Sequence, residues 1–190
     1  LDICKTMLNI GIKPDFITID GSEGGTGAAP IELSDSMGMP LEEALVFVTD
    51  TLRGYELKKH IPIIASGKVI TGFDIIRTIA LGADLCNSAR GMMFALGCIQ
   101  ALKCDSNECP TGITTHKPQL TRGLVVKDKA VRVKNFQERT IEASLQLLAG
   151  MGFTDFDDLN RSHINKRTGP ETIKSFEEIY PSVEVGAYLD

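Results

Sequence analysis

The sequence predicts an α/β fold in which short parallel strands alternate with amphipathic helices. One observation is a set of three short segments rich in apolar residues, at Asp15–Asp20, Ile61–Ser66 and Ala83–Ala89. Their apolar content is nearly continuous, which is typical of parallel strands covered on both faces. The other observation is helical periodicity between these segments. Together they indicate right-handed βαβ units.

The first predicted strand, Asp15–Asp20, is followed by a glycine-rich loop and then by a helix. Pro40 suits a first helical position, and Glu42 and Glu43 suit the positive end of the helix dipole. The apolar positions of this helix recur at helical spacing and predict one buried stripe. The stripe consists of Leu41, Ala44, Leu45, Val48, Leu52 and Tyr55.

The second predicted strand, Ile61–Ser66, leads into another helix. Thr71 and Asp74 have the spacing of a capping box, in which each side chain bonds the other residue's backbone amide. Gly82 is the expected stop of this helix after Ala80 or Leu81. The segment therefore predicts a strand, a capped helix and a glycine stop.

The third predicted strand, Ala83–Ala89, is followed at once by an apolar helix over residues 90–102. A long helix is expected from about Lys127 to Gly150. Thr154 and Asp157 then suggest another cap. We expect a barrel-like part at 1–125 and a helical C-terminal extension at 126–190.

Three parallel strands with two open edges form a poor free-standing domain. The simplest interpretation is that they are the last three strands of a (β/α)8 barrel. The chain also begins with Leu1 instead of an initiator Met, which suggests a piece of a longer protein. The missing N-terminal barrel half is therefore an expected partner.

Composition limits the possible partners. The chain has 190 residues, 43% hydrophobic content and a formal net charge of −5. It has no basic run of the kind that binds phosphate backbones, so no nucleic-acid partner is expected. No apolar run reaches the roughly 18 residues that span a bilayer, and no signal peptide is recognisable. We expect a cytoplasmic protein without a membrane segment.

The loop Gly21–Gly27 contains four glycines in seven residues. It lacks the Lys-Ser/Thr of a P-loop and does not fit the dinucleotide fingerprint. Its glycines allow close backbone approach to a ligand, although a structural turn is the alternative. Asp20 and Glu23 could perform acid–base chemistry there or could simply be solvated.

Two segments after predicted strands are candidate phosphate-binding loops. In (β/α)8 barrels, phosphate commonly binds at the loops after the last two strands and at a helix N-terminus. Gly67 has no Cβ, so backbone amides beside it can approach an anion. Ordinary strand-to-helix turns are the alternative, and Arg90 could serve a salt bridge instead. The candidate residues are Ser66, Gly67, Lys68, Asn87, Ser88, Ala89, Arg90 and Gly91.

Three of the five cysteines lie close together in the sequence. Cys98, Cys104 and Cys109 are spaced C-x5-C-x4-C, and Pro110 follows. Without a secretory signal, metal binding or chemistry is a better interpretation than disulfides. An iron–sulfur cluster, a zinc site completed by His116, and no metal at all remain open.

The strings DGSEGGTGAAP and SGKVITGFDIIRTIALGADLCNSARGMMFALGCIQALKCDSNECPTGITTH resemble the FMN-binding synthase domain of glutamate synthases. The resemblance runs from about residue 11 to about 190 and is strongest to the stand-alone type without a glutaminase domain. It implies an FMN-binding barrel and a 3Fe-4S cluster held by Cys98, Cys104 and Cys109. The loops at Gly67 and at Asn87–Gly91 would hold the FMN phosphate, and Gly21–Gly27 would lie beside the flavin or the cluster.

The resemblance also implies a reaction. In the family, 2-iminoglutarate formed from 2-oxoglutarate and ammonia is reduced to L-glutamate, with electrons from a donor such as ferredoxin. Two other interpretations remain. An IMP dehydrogenase-like barrel would use Cys86 as a nucleophile near the phosphate, although Cys86 could also be a small buried hydrophobe. A non-catalytic module would use the clustered cysteines only to stabilise a loop.

Overall fold

The computed structural model of the protein describes residues 1–21, 33 and 36–189. Within these residues, three parallel strands and their helices are followed by a long helix and a small antiparallel hairpin. In chain order the elements are α1 (Asp2–Ile10), β1 (Ile17–Asp20), α2 (Leu41–Gly54), β2 (Ile63–Ser66), α3 (Gly72–Ala80), β3 (Leu85–Asn87), α4 (Arg90–Leu96), α5 (Pro118–Thr121), α6 (Val126–Gly150), β4 (Asn165–Arg167), β5 (Ile173–Ser175) and α7 (Phe176–Ile179).

The parallel α/β organisation is confirmed. The strands lie in the order β1-β2-β3, with β2 in the centre. Ile19 pairs with Ala65 and Ala65 pairs with Cys86, so equivalent positions of the strands share one face. The third strand is shorter than predicted, since it covers only Leu85–Asn87.

The two faces of the sheet have different surroundings. Ile19, Ile63 and Ala65 are buried in one core cluster with the apolar stripes of α2 and α3. On the other face, Leu85 is 59% exposed and Thr18 is exposed as well. The sequence predicted cover on both faces, but among the described residues only the helix-facing side is buried. The strands are therefore half-covered.

The helix-facing core follows the predicted pattern. In α2, the predicted stripe faces the core, and Leu45 and Leu52 have almost no exposed surface. In α3, Thr71 and Asp74 form the predicted capping box. Gly82 has a φ of 115°, and a Cβ there would lie 2.5 Å from the Thr49 side chain of α2. The glycine after α3 therefore both ends the helix and allows α2 to approach closely.

The helix predicted over residues 90–102 is too long. It ends at Leu96, and Gly97 follows in the left-handed conformation with a φ of 107°. The amides of Gly97 and Cys98 both donate to the Met93 carbonyl, which closes the helix end. The chain from Cys98 onward therefore leaves the helix and forms a separate loop.

The long helix α6 packs directly on α3 and α4. A Cβ at Gly72, the first residue of α3, would lie 2.6 Å from the Ser144 backbone nitrogen of α6. A Cβ at Gly91 in α4 would lie 2.8 Å from the Phe136 ring. Both helices therefore have a glycine in their first turn at the contact with α6. Although α6 spans 25 residues, no helix among the described residues has the length and apolar character needed to cross a membrane.

The sequence predicts a helical C-terminal extension, but this part of the structure is only partly helical. Residues 165–175 form the antiparallel hairpin of β4 and β5. The predicted cap at Thr154 is also displaced by one residue, because the Asp155 carboxylate accepts the Asp157 amide at 3.0 Å. Farther along, buried Arg161 donates to both Asp50 oxygens of α2 at 3.0 and 2.7 Å. This ion pair ties the extension to the core.

Candidate functional site

A cavity of about 340 Å³ lies at the carboxyl ends of the three parallel strands. Asp20, Ser66 and Asn87 are the last residues of β1, β2 and β3, are paired in register, and all line the cavity. Its size is in the range of small-molecule sites. The carboxyl edge of a parallel sheet is the usual position of ligands in α/β folds.

The first predicted phosphate loop forms one wall of this cavity. Ser66, Gly67 and Lys68 all line it. Gly67 and Lys68 both have positive φ angles, 153° and 48°, so the chain turns sharply after β2. A positive φ at a lysine is uncommon, and such strained conformations cluster at active sites and ligand-binding segments. The turn then enters the capping box of α3.

The second predicted loop is divided between two cavities. Asn87, Ala89 and Arg90 line the same wall as the first loop. Ser88 instead lines a neighbouring cavity against α6, where its hydroxyl is buried without a hydrogen-bond partner in the described structure. Gly91 is buried against Phe136 of α6. Six of the eight predicted residues therefore line the cavity at the strand ends. The other two, Ser88 and Gly91, lie on the side that faces α6.

Five residues that were not predicted also line the cavity, and Thr114 after the clustered cysteines is one of them. Met93 and Phe94 lie one turn after Arg90 on α4 and supply an apolar wall. Gln100 and Leu102 also line it, and both have positive φ angles near 55°. The spacing of Met93 and Phe94 from Arg90 could have indicated the same helix face. Nothing in the sequence predicts left-handed backbone at Gln100 or Leu102.

The loop that carries the three clustered cysteines, residues 98–109, reaches the same cavity; we call it the cysteine loop. Cys98 and Cys104 line it, and the Gln100 amide donates to the Cys98 sulfur at 3.4 Å. Cys109 is buried and is not among the lining residues. Across residues 1–21, 33 and 36–189, no three His, Cys, Asp or Glu side chains are close enough together to hold a metal ion. The structure therefore brings two of the three thiols to the cavity.

Cys109 has surroundings that favour its thiolate. Burial raises the pKa of this thiol, but hydrogen bonds from the Thr111 hydroxyl and the Thr114 backbone outweigh that effect and bring the pKa to about 6. The Cys109 sulfur lies 3.3 Å from the Thr111 oxygen. Thiolates are the ligands of iron–sulfur clusters and zinc, so the donor chemistry of Cys109 fits a soft metal.

Asn107 links the segment before Cys109 to Thr115 and His116, which follow it. Its side-chain oxygen accepts the Thr115 hydroxyl at 2.9 Å and the His116 amide at 2.8 Å. Its φ is 61°, a conformation that Asn adopts more readily than most residues. His116 itself is exposed and is not among the residues that line the cavity. The structure gives no support to a zinc site completed by His116.

Cys86 has the environment of a core residue. It pairs with Ala65 on the helix-facing side of the sheet and packs against the hydrophobic core. Burial raises the pKa of its thiol to about 11. A thiol of that pKa is almost entirely protonated near neutral pH and is therefore a poor nucleophile. These surroundings favour the small buried hydrophobe over the catalytic nucleophile of an IMP dehydrogenase-like enzyme.

The glycine loop can be followed only at its first residue. Gly21 is buried, and its amide donates to the Ser66 carbonyl at 2.8 Å, which extends the pairing of β1 with β2. Residues 22–27, with Glu23, lie outside the described residues. Asp20 contributes to the cavity wall, as its position at a strand end implies.

Comparison with known proteins identifies the family. The model of the family described as "Conserved region in glutamate synthase" matches residues 4–154. The glutamate synthase large subunit-like protein YerD of Bacillus subtilis is 42% identical over 178 residues, which cover 94% of this chain and 34% of that protein. An archaeal NADPH glutamate synthase of Methanocaldococcus jannaschii is 37% identical over 145 residues, covering 76% and 28% respectively.

Solved structures resemble the chain more distantly. A DHODH of Eimeria tenella in complex with ferulenol has a TM-score of 0.43 and 16% identity, and covers 84% of this chain and 33% of its own. A flavocytochrome b2 mutant has a TM-score of 0.45 and 18% identity, covering 84% and 37%. The chain spans about a third of the length of the curated relatives above. The family match covers most of its residues, and the chain belongs to the glutamate synthase family.

Proposed function

We propose that this chain forms the phosphate-binding end of an FMN-dependent glutamate synthase. The observation that carries the proposal is the single cavity shared by both candidate phosphate loops and by Cys98 and Cys104. The turn at Gly67 and Lys68 leaves backbone close to the cavity, and the first turn of α4 has no side-chain cap on its amides. These features suit the phosphate of FMN, with Arg90 as a nearby positive charge.

The cysteine loop would hold the 3Fe-4S cluster through Cys98, Cys104 and Cys109. The donor set is all thiol, and the pKa of Cys109 is lowered to about 6, which fits thiolate ligation. Two of the thiols line the same cavity as the phosphate loops, so electron transfer over a short path is a natural role. We therefore assign these three cysteines to the cluster and not to zinc.

The proposed reaction is the reduction of 2-iminoglutarate, formed from 2-oxoglutarate and ammonia, to L-glutamate in the cytoplasm. When bound, FMN would supply the hydride and the cluster would supply single electrons from a donor such as ferredoxin. This chain's own residues anchor the phosphate and orient the cofactor against the sheet edge. Contacts to the flavin ring and the 2-oxo acid are proposed to come from the other barrel strands.

The test uses the full-length protein, purified without oxygen. We expect one flavin per chain, released on denaturation as FMN, together with iron and labile sulfide. We also expect oxidation of a reduced donor that requires both 2-oxoglutarate and ammonia. A colourless protein that contains zinc would contradict the proposal and support the non-catalytic module.

The cluster assignment has its own variant. Cys104→Ser should remove most of the iron, because a thiolate at the cavity wall is replaced by a poor ligand for iron. Cys4→Ser is the matched control, since Cys4 is buried in α1 within the hydrophobic core. Unchanged iron in single Ser variants of Cys98, Cys104 and Cys109 would show that the assignment is wrong.

A further inference from the structure

Four charged side chains form a continuous chain behind the first phosphate loop. They come from three separate parts of the protein: Glu42 from α2, Asp74 and Arg77 from α3, and Lys166 from β4. Each carboxylate in this chain uses its two oxygens for two different partners. We call this set the charged brace.

One end of the charged brace holds the loop itself. The Asp74 Oδ2 atom accepts the backbone amides of Ile70 and Thr71 at 3.2 and 2.9 Å. The other oxygen of Asp74 accepts Arg77 at 3.3 Å. Asp74 therefore fixes the segment that directly follows the turn at Gly67 and Lys68.

The other end reaches the C-terminal hairpin. Arg77 donates to one oxygen of Glu42 at 3.1 Å, and Lys166 donates to the other at 2.6 Å. The Glu42 side chain is only 19% exposed, so this double contact is partly shielded from water. Lys166 is 124 residues away in sequence, and the contact therefore joins the extension to the phosphate loop.

The hairpin is itself firmly attached. Lys166 lies 5.9 Å from the centre of the ring of Phe176, a buried residue. Arg161, a few residues earlier, is buried in its bidentate pair with Asp50 of α2. The hydrogen bond with Glu42 is the largest cause that raises the pKa of Lys166, so the ammonium stays charged at neutral pH. Lys166 is therefore a fixed cation on an anchored hairpin.

We propose that Lys166 is a positioning residue for phosphate binding and acts through Glu42, Arg77 and Asp74 on the turn at Gly67 and Lys68. A left-handed residue such as Lys68 persists only where its surroundings hold it, and Asp74 of the charged brace holds the amides of Ile70 and Thr71 just after this turn. This inference rests on the proposed function, since the loop is taken to bind the FMN phosphate. Lys166 is not among the residues that line the candidate cavity, so its proposed effect on the phosphate is indirect.

The test compares FMN with riboflavin, which has the same ring system and no phosphate. In the full-length protein, Lys166→Met should weaken FMN binding by about threefold to fivefold, the upper range for an ion pair whose lysine is nearly half exposed. Riboflavin binding should change less than twofold. Lys166→Arg should restore FMN binding, and Glu42→Gln should weaken it at least as much as Lys166→Met.

The matched control is Lys174→Met. Lys174 is the cross-strand partner of Lys166 in the same hairpin, and this change should leave both affinities unaltered. Equal losses for FMN and riboflavin in Lys166→Met would overturn the inference, because general loosening would explain them. Unchanged FMN binding in a folded Glu42→Gln variant would overturn it as well. A wild-type protein that binds neither flavin would overturn the proposed function and this inference together.

Discussion

The two faces of the three-stranded sheet differ although they belong to the same strands. On the helix-facing side, Ile63 and Ala65 have no exposed surface. On the opposite side, the adjacent Ile64 is half-buried and Leu85 is mostly exposed. Both faces carry β-branched or aliphatic residues. The difference shows that residues 1–21, 33 and 36–189 cover one face of the sheet and leave apolar surface on the other.

The exposed face indicates what the remaining protein must provide. Burying an aliphatic side chain contributes about 1.5–3 kcal/mol, a sizeable part of a typical domain stability of roughly 5–15 kcal/mol. In a closed barrel, this face would be the interior, which other strands fill. The candidate cavity lies at the end of the same face. Barrel closure and cofactor binding are therefore expected to depend on each other.

The largest expected effect separates the 190-residue chain from the full-length protein. The isolated chain should show no tight FMN binding and should self-associate, because the sheet has an uncovered face and two open edges among the described residues. Flavin titration with size-exclusion chromatography measures both properties. A monodisperse monomer that binds flavin stoichiometrically would show that the partial-barrel interpretation is mistaken.

A pair of alanine variants sharpens the comparison of the faces. Ile63→Ala should lower the free energy of unfolding by about 2–5 kcal/mol in both the isolated chain and the full-length protein, since Ile63 is fully buried. Leu85→Ala should lower the free energy of unfolding by less than about 0.5 kcal/mol in the isolated chain. In the full-length protein the loss should be similar to that of Ile63→Ala. Denaturant unfolding of both forms provides the measurement. Equal, small costs of Leu85→Ala in both forms would mean that no other strand covers this face.

These two predictions depend on which strand residues face the helices, and the sequence pattern alone does not show this. The capping box of Thr71 and Asp74 and the stripe of α2 could be predicted because they depend on neighbours within a few turns of helix. Alternation along a strand shows that Ile63 and Ile64 point in opposite directions, but not which of them faces the helices. That choice depends on where α2 and α3 pack, and only the structure shows it.

Long-range contacts limit prediction of the candidate site in the same way. The loops around Gly67 and Asn87 were predicted because glycine and strand ends are local signals. Ser88 and Gly91 belong to the same segment, yet they face α6 because Phe136, some 45 residues later, packs there. The link from Lys166 to Glu42 likewise has no sequence signature. Distant partners decide which side of a turn faces the ligand.

Gly67→Val tests the candidate phosphate loop, which follows the carboxyl end of β2. A β-branched residue is strained at a φ of 153°. Its side chain would also fill the space in which the phosphate is expected to approach the backbone. We expect FMN affinity to fall by about tenfold, or about 1.4 kcal/mol, with riboflavin affinity much less affected. Gly123→Val is the matched control, since a Cβ there would meet only ordinary contacts. Normal FMN binding by folded Gly67→Val protein would refute the loop assignment.

The smallest expected effect concerns Cys86 on the helix-facing side. Its pKa is raised to about 11, so about a thousandth of the thiol is ionised at pH 8. Alkylation followed by peptide mapping should show slow modification that accelerates as the pH rises toward 11. The same cysteine in the denatured chain should react rapidly near pH 8 to 9. Fast modification of Cys86 in the folded protein would reopen its role as a nucleophile.

The glycines at the start of α3 and α4 have a consequence for how this protein could be shortened. Phe136 and Ser144 of α6 contact these two helix starts, and eight residues of α-helix separate them by about 12 Å. A single helix beyond residue 125 therefore packs against the first turns of both helices that follow the candidate phosphate loops. Shortening the chain at that point, a natural choice for a minimal barrel, would expose both helix starts and remove these contacts.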